Sequence, residues 1–125
     1  MDYRTFTRTA ADRAGMPEDK VEQVEHATLQ TLAERISGGE AGDLAAQLPQ
    51  PLKDDLQKPR EDAERFGVDE FVRRVAERGH VAPEEARTGA AAVLTTVRQA
   101  VTPGEFDDVL SQLPQEYREL VGPMA

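Results

Sequence analysis

Apolar residues return every three or four positions along most of the chain, the spacing of helices that each bury one stripe. Tyr3, Phe6 and Ala10 share one face, and Gly15 offers a left-handed stop, which predicts a helix over about 2–14. Pro17 then suits the first turn of a longer helix, and Glu18-Asp19 suit its positive dipole end. The seam of this second helix is Val21, Val24, Thr28, Leu32 and Ile36. Ser37-Gly38-Gly39-Glu40 reads as a capping box: the hydroxyl accepts from a first-turn amide, and the Glu reaches back to the cap N–H. Ala41, Leu44, Ala45 and Leu48 follow as a third apolar face, Pro49 ends it, and a short fourth helix is expected around Leu52 to Leu56.

The same order returns 65 residues later without a gap. Phe6 falls on Phe71, Arg8 on Arg73, Arg13 on Arg78, Leu29 on Leu94 and Thr31 on Thr96. Gly39-Glu40 falls on Gly104-Glu105, Asp43 on Asp108, and Gln47-Leu48-Pro49-Gln50 on Gln112-Leu113-Pro114-Gln115. Phe71 and Val75 head the second copy before Gly79. Pro83 with Glu84-Glu85 opens its long helix, with Ala86, Ala90, Leu94, Val97 and Val101 inward. Thr102-Pro103-Gly104-Glu105 repeats the capping box, Phe106, Val109, Leu110 and Leu113 face inward, and Tyr117 to Val121 form the last helix. Two copies at this spacing suggest a duplicated unit and not a solenoid, whose shorter periods recur several times. The expected fold is all-α: two pseudo-symmetric four-helix units, about eight helices, packed as one compact helical domain. Its parts are residues 1–56, a linker over 57–67 with a helical turn at Glu61 to Phe66, and residues 68–125. No segment has strand-like alternation.

The residues that mark each unit are Phe6, Gly39-Glu40 and Gln47-Leu48-Pro49, then Phe71, Gly104-Glu105 and Gln112-Leu113-Pro114. In these the chain resembles a bacterial domain-of-unknown-function family, DUF2267, over nearly its whole length. The resemblance implies an all-helical bacterial protein and carries no activity, ligand or catalytic residue.

Charge narrows the classes of function. The chain has 24 acidic and 15 basic side chains, a formal net charge of −9. The excess acid is spread along the chain, and no basic stripe exists to displace counterions from a phosphate backbone. Nucleic acid and anionic membrane surfaces are therefore not expected partners. Cysteine is absent, which removes disulfides, thiolate metal sites and thiol catalysis. No apolar run has the roughly 18 residues of a membrane span, and the first residues lack the order of a secretory signal. A cytoplasmic protein is the expectation.

Candidate chemistry is sparse. Ser37 serves as a cap, Ser111 stands in a helix, and neither lies in a nucleophile elbow. His26 has Glu22 and Glu25 nearby, which points to a surface ion pair. Glu77-Arg78-Gly79-His80 has the E-x-x-H spacing of di-metal bundles, but that chemistry needs a second motif, and Gly15 occupies the position equivalent to His80. Arg73–Glu77 and Arg8–Asp12 read as one-turn ion pairs. Glu40/Glu105 and Asp43/Asp108 are matched acids whose capping and first-turn positions explain them without catalysis. Gln47 and Gln112 are placed to bond backbone groups freed by the following proline. Phosphate-loop spacing is absent. These readings assign no catalytic, cofactor-binding or metal-binding residue and no cofactor, and they do not suggest an enzyme. The leading expectation is a non-catalytic protein-interaction or regulatory module with another protein as partner, as monomer or homodimer. The alternative is a small-molecule-binding or sensory domain with an apolar pocket between the repeats.

Overall fold

The computed structural model describes residues 1–121, so residues 122–125 of the expected second unit lie outside the description. Eight helices carry the described residues: α1 Tyr3–Ala14, α2 Glu18–Arg35, α3 Gly38–Ala45, α4 Gln50–Lys53, α5 Val68–Gly79, α6 Pro83–Ala100, α7 Pro103–Ser111 and α8 Glu116–Val121. A 3-10 turn, Asp54–Leu56, extends α4, and no strand occurs among the described residues. α5 and α6 begin and end 65 residues after α1 and α2, and α7 begins 65 residues after α3.

Local chemistry sets these limits. Asp2 caps α1 by accepting from the Thr5 amide at 2.8 Å. Gly15 stops α1 in the left-handed region at φ 66. Its equivalent His80 takes the same role for α5 at φ 55, so the left-handed residue is His80 and Gly79 remains helical. The stripes read from sequence are the core: Phe6, Val21, Val24, Thr28, Leu32, Ile36, Phe71, Val75, Ala86, Ala90, Leu94 and Val97 are all buried.

The halves are interleaved. α1 packs chiefly on α6, and α5 chiefly on α2, so each first helix leans on the long helix of the other half. Matched polar contacts hold both crossings. Arg13 donates to Thr96 Oγ1 at 2.9 Å and to Gln99 Oε1 at 2.7 Å. Arg78 donates to Thr31 Oγ1 at 2.9 Å and to both oxygens of Glu34. Thr31 and Thr96 are fully buried, and each hydroxyl also donates to the carbonyl one turn back, Ala27 or Ala92. The recurrence of Arg and Thr at +65 thus has a physical cause in two equivalent crossings.

Between the long helices, residues at equal positions in the two halves meet each other. Lys20 forms an ion pair with Glu85, 65 residues on. A Cβ at Gly89 would stand 2.7 Å from Val24 Cγ1, and positions 24 and 89 are again 65 apart. Around a twofold axis, equal positions face their own copies. Here one chain supplies both partners, so the pairs can be unlike and complementary.

Residues 57–67 form no helix, and the turn expected at Glu61 to Phe66 is an irregular strap instead. It is occupied in capping α3. Gly38 N–H donates to the Glu61 carbonyl at 2.8 Å, and Gly39 N–H donates to its carboxylate at 3.2 Å. A side chain at Gly38 would strike Glu61, which explains that glycine. Further on, Phe66 lies beneath the Arg74 guanidinium at 4.0 Å, and its carbonyl accepts from Arg35 Nε and Tyr117 Oη, each at 2.8 Å. No described helix is long and apolar enough to cross a membrane.

Candidate functional site

Two polar clusters are not explained by core packing. The first lies where α3 meets α7. Ser37 Oγ accepts from Glu40 N–H at 3.2 Å, and Thr102 Oγ1 from Glu105 N–H at 3.3 Å, so the hydroxyl half of each capping box forms. The glutamate half does not. The Ser37 amide donates instead to Gln112 Oε1 at 2.7 Å, and the Thr102 amide to Gln47 Oε1 at 2.8 Å. Each glutamine also donates back to the cap hydroxyl it serves, at 3.1 Å for Gln112 and 3.4 Å for Gln47. The Gln-Leu-Pro motif therefore caps the opposite half. The backbone near its own proline, where the sequence placed it, is not its partner.

This exchange leads to a stability prediction. Gln47→Ala or Gln112→Ala leaves one cap amide without its partner and costs about 1 kcal/mol, and the double variant about 2 kcal/mol. Urea unfolding measures both losses.

Released from capping, Glu40 and Glu105 face each other at equal positions of the two halves. One carboxylate oxygen from each, and one from Asp43, lie within 4.8 Å of one another. Glu105 is 9% exposed, and the inner oxygens Glu40 Oε2 and Glu105 Oε2 are buried with no hydrogen-bond partner. Burial first, then contact with Glu105 and the charges of Asp108 and Asp43, push the Glu40 carboxyl up to about 8.

The second cluster belongs to the first half alone. Glu25 is fully buried and accepts from Thr7 Oγ1 at 3.2 Å, while its Oε2 and Thr28 Oγ1 have no partner. Burial raises the Glu25 carboxyl to about 7. Beside it His26 Nδ1 meets Asp55 Oδ2 at 2.5 Å and Nε2 faces Tyr3 Oη at 3.4 Å; Tyr3 also donates to Glu22 at 3.3 Å. The Asp55 contact is the main cause of a raised His26 pKa. The expected surface ion pair of His26 with Glu22 or Glu25 is thus replaced by Asp55, because α4 and its 3-10 turn bring that acid onto α2. At +65 the equivalents of Tyr3, Thr7, Glu25, His26 and Asp55 are Val68, Val72, Ala90, Ala91 and Leu120. The signal in the sequence was this polar-for-apolar mismatch between halves, which a search for matches passes over.

The remaining candidates have structural duties. Ser111 Oγ donates to the Asp108 carbonyl at 2.6 Å, and His80 is the left-handed cap of α5. Arg73 holds Glu77 one turn on, at 2.6 Å, and Glu70 one turn back. The parallel pair of Arg8 with Asp12 does not form among the described residues. Among characterised proteins no sequence matches the chain. The sequence profile of the uncharacterised conserved proteins DUF2267 matches residues 3–120. With that match over nearly every described residue, the chain belongs to the DUF2267 family.

Proposed function

We propose that this protein is a non-catalytic interaction or regulatory module that engages a basic protein partner. The observation that carries the reading is the employment of its reactive side chains. Ser37 and Ser111 bond backbone or cap groups, His80 ends a helix, and His26 is held by Asp55. Acid–base or nucleophilic chemistry asks for a base beside a nucleophile in a shared cleft. The interleaved packing of the helices suits a platform better than a site that must open. The net charge of −9 favours a basic partner and makes association depend on salt.

An apolar pocket between the halves has less support, because Val24 fills the space over Gly89 where the long helices cross. Affinity capture from the source organism tests the proposal, with washes at low and high salt. A basic protein retained at low salt and released at high salt is expected. Retention of no protein, together with turnover or saturable binding of a metabolite, would sink it.

A further inference from the structure

We propose that Glu40, Glu105 and Asp43 form a binding site for one hard divalent cation, held between α3 and α7 where the halves meet. Geometry is the first support. Their nearest oxygens lie within 4.8 Å of one another. Opposed ligands on one hard cation are about 4–5 Å apart, given metal–oxygen distances of roughly 2.0–2.6 Å. Three carboxylates from two helices therefore span the distance that a single ion requires.

Burial is the second and independent support. Glu105 is more than nine-tenths buried, its Oε2 receives no hydrogen bond from an amide, hydroxyl or basic side chain, and one oxygen of its carboxyl belongs to this cluster. Glu40 is half-buried, and its Oε2 atom is likewise enclosed and receives no such hydrogen bond. A buried acceptor is normally satisfied, and a close pair of buried carboxyls either keeps a proton, as Glu40 does with its pKa raised to about 8, or takes up a cation in its place. Other partly buried acids have theirs: Glu34 and Glu70 hold Arg74, and Glu85 holds Lys20. No basic side chain pairs with Glu40, Asp43, Glu105 or Asp108 among the described residues.

Position is the third. Equal positions meet as Lys20 with Glu85 and as Val24 with Gly89, both complementary. Glu40 and Glu105 meet as two carboxyls with only a proton on Glu40 to offset them, in a chain where nothing forces the two to be identical. A cation between them makes likeness useful. An all-oxygen set of this kind suits Mg²⁺, Ca²⁺ or Mn²⁺ and not a soft metal. A bound ion would clasp α3 to α7 in addition to the crossed glutamine caps. This site goes beyond the interaction reading and stands without it.

The test is calorimetric titration and thermal unfolding of the chelator-treated chain with MgCl2, CaCl2 and MnCl2, against NaCl at matched ionic strength. Saturable one-site binding and a rise in Tm with at least one of the three are expected. Glu105→Gln and Glu40→Gln should weaken that binding about tenfold or more, since affinity follows the number of charged ligands. Asp43→Asn, on an exposed face, should do the same and covers the case where a buried variant fails to fold. No saturable binding up to about 10 mM, well above the roughly 1 mM of weak calcium sites, would overturn the proposal. So would unchanged affinity in Glu105→Gln. Either result leaves the salt-dependent partner capture unaffected, so the two proposals fail separately.

Discussion

Gly89→Val is expected to destabilise the protein by about 2–3 kcal/mol, the usual cost of forcing extra carbons into a filled core. Helix propensity alone predicts the opposite sign, because glycine is a poor helix former, but that gain is only about 0.5 kcal/mol. Crowding wins because the new Cβ would lie 2.7 Å from Val24 Cγ1 and 3.5 Å from Val24 Cβ. Val24→Gly alone should cost about 3 kcal/mol, from a lost buried side chain and a glycine placed in mid-helix. If positions 24 and 89 are equivalent across one axis, exchanging them repairs both faults. The double variant Val24→Gly with Gly89→Val should lie within about 1.5 kcal/mol of the parent, a coupling far larger than distant sites show. Urea midpoints with unchanged m-values measure it. Simple addition of the two losses would mean that the two positions do not substitute for each other.

Glu25→Gln is expected to raise stability at pH 8 by about 2–3 kcal/mol and to change it little near pH 5. The carboxyl is fully buried, with Thr7 and Tyr3 facing it from α1 and Glu22 and His26 beside it on α2. Burial raises its pKa from 4.5 to about 7, so the folded state keeps a proton that the unfolded chain releases. Stability from this group is therefore highest below about pH 4.5. It declines as pH rises through the interval to about 7, and the loss is complete above that. Glutamine stays neutral throughout and escapes the loss. His26 also has a raised pKa and loses its charged pair with Asp55 as pH rises. That pair remains in both proteins, so the difference between parent and variant reports Glu25 together with its charge coupling to His26. Denaturant titrations at half-unit steps from pH 5 to 8 provide the curve. Parallel curves for the two proteins would show that the Glu25 carboxyl titrates as it would in water.

Much of the fold was legible because its signals are local. Prolines at the helix starts, Gly15, the acids of the first turns and the apolar stripes each act within a few residues. The strap at 57–67 was not, since Phe66 owes its place to Arg35 and Tyr117, distant in sequence, as well as to Arg74 on the following helix. The sites were legible only in part. Gln47, Gln112, Glu40 and Glu105 were visible as matched residues, but their partners belong to the opposite half, and periodicity within a helix says nothing about that. A capping box explains Glu40 from four residues alone, which is why the local reading was complete and still wrong about its carboxylate. Glu25 was hidden differently: it occupies a core position of α2, and only the burial of α2 by α1 makes its charge costly.

Equal positions of the two halves meet in three pairs: Lys20 with Glu85, Val24 with Gly89, and Glu40 with Glu105. In the last pair two carboxyls meet, and only a proton on Glu40, whose pKa is raised to about 8, offsets their like charge. Diffraction from crystals grown with Mn²⁺ at neutral pH tests this most directly, through the anomalous signal of the ion. One peak within bonding distance of carboxylate oxygens from Glu40, Glu105 and Asp43 is the predicted result. No peak there, with the Glu40 and Glu105 carboxyls hydrogen-bonded to each other, would contradict it.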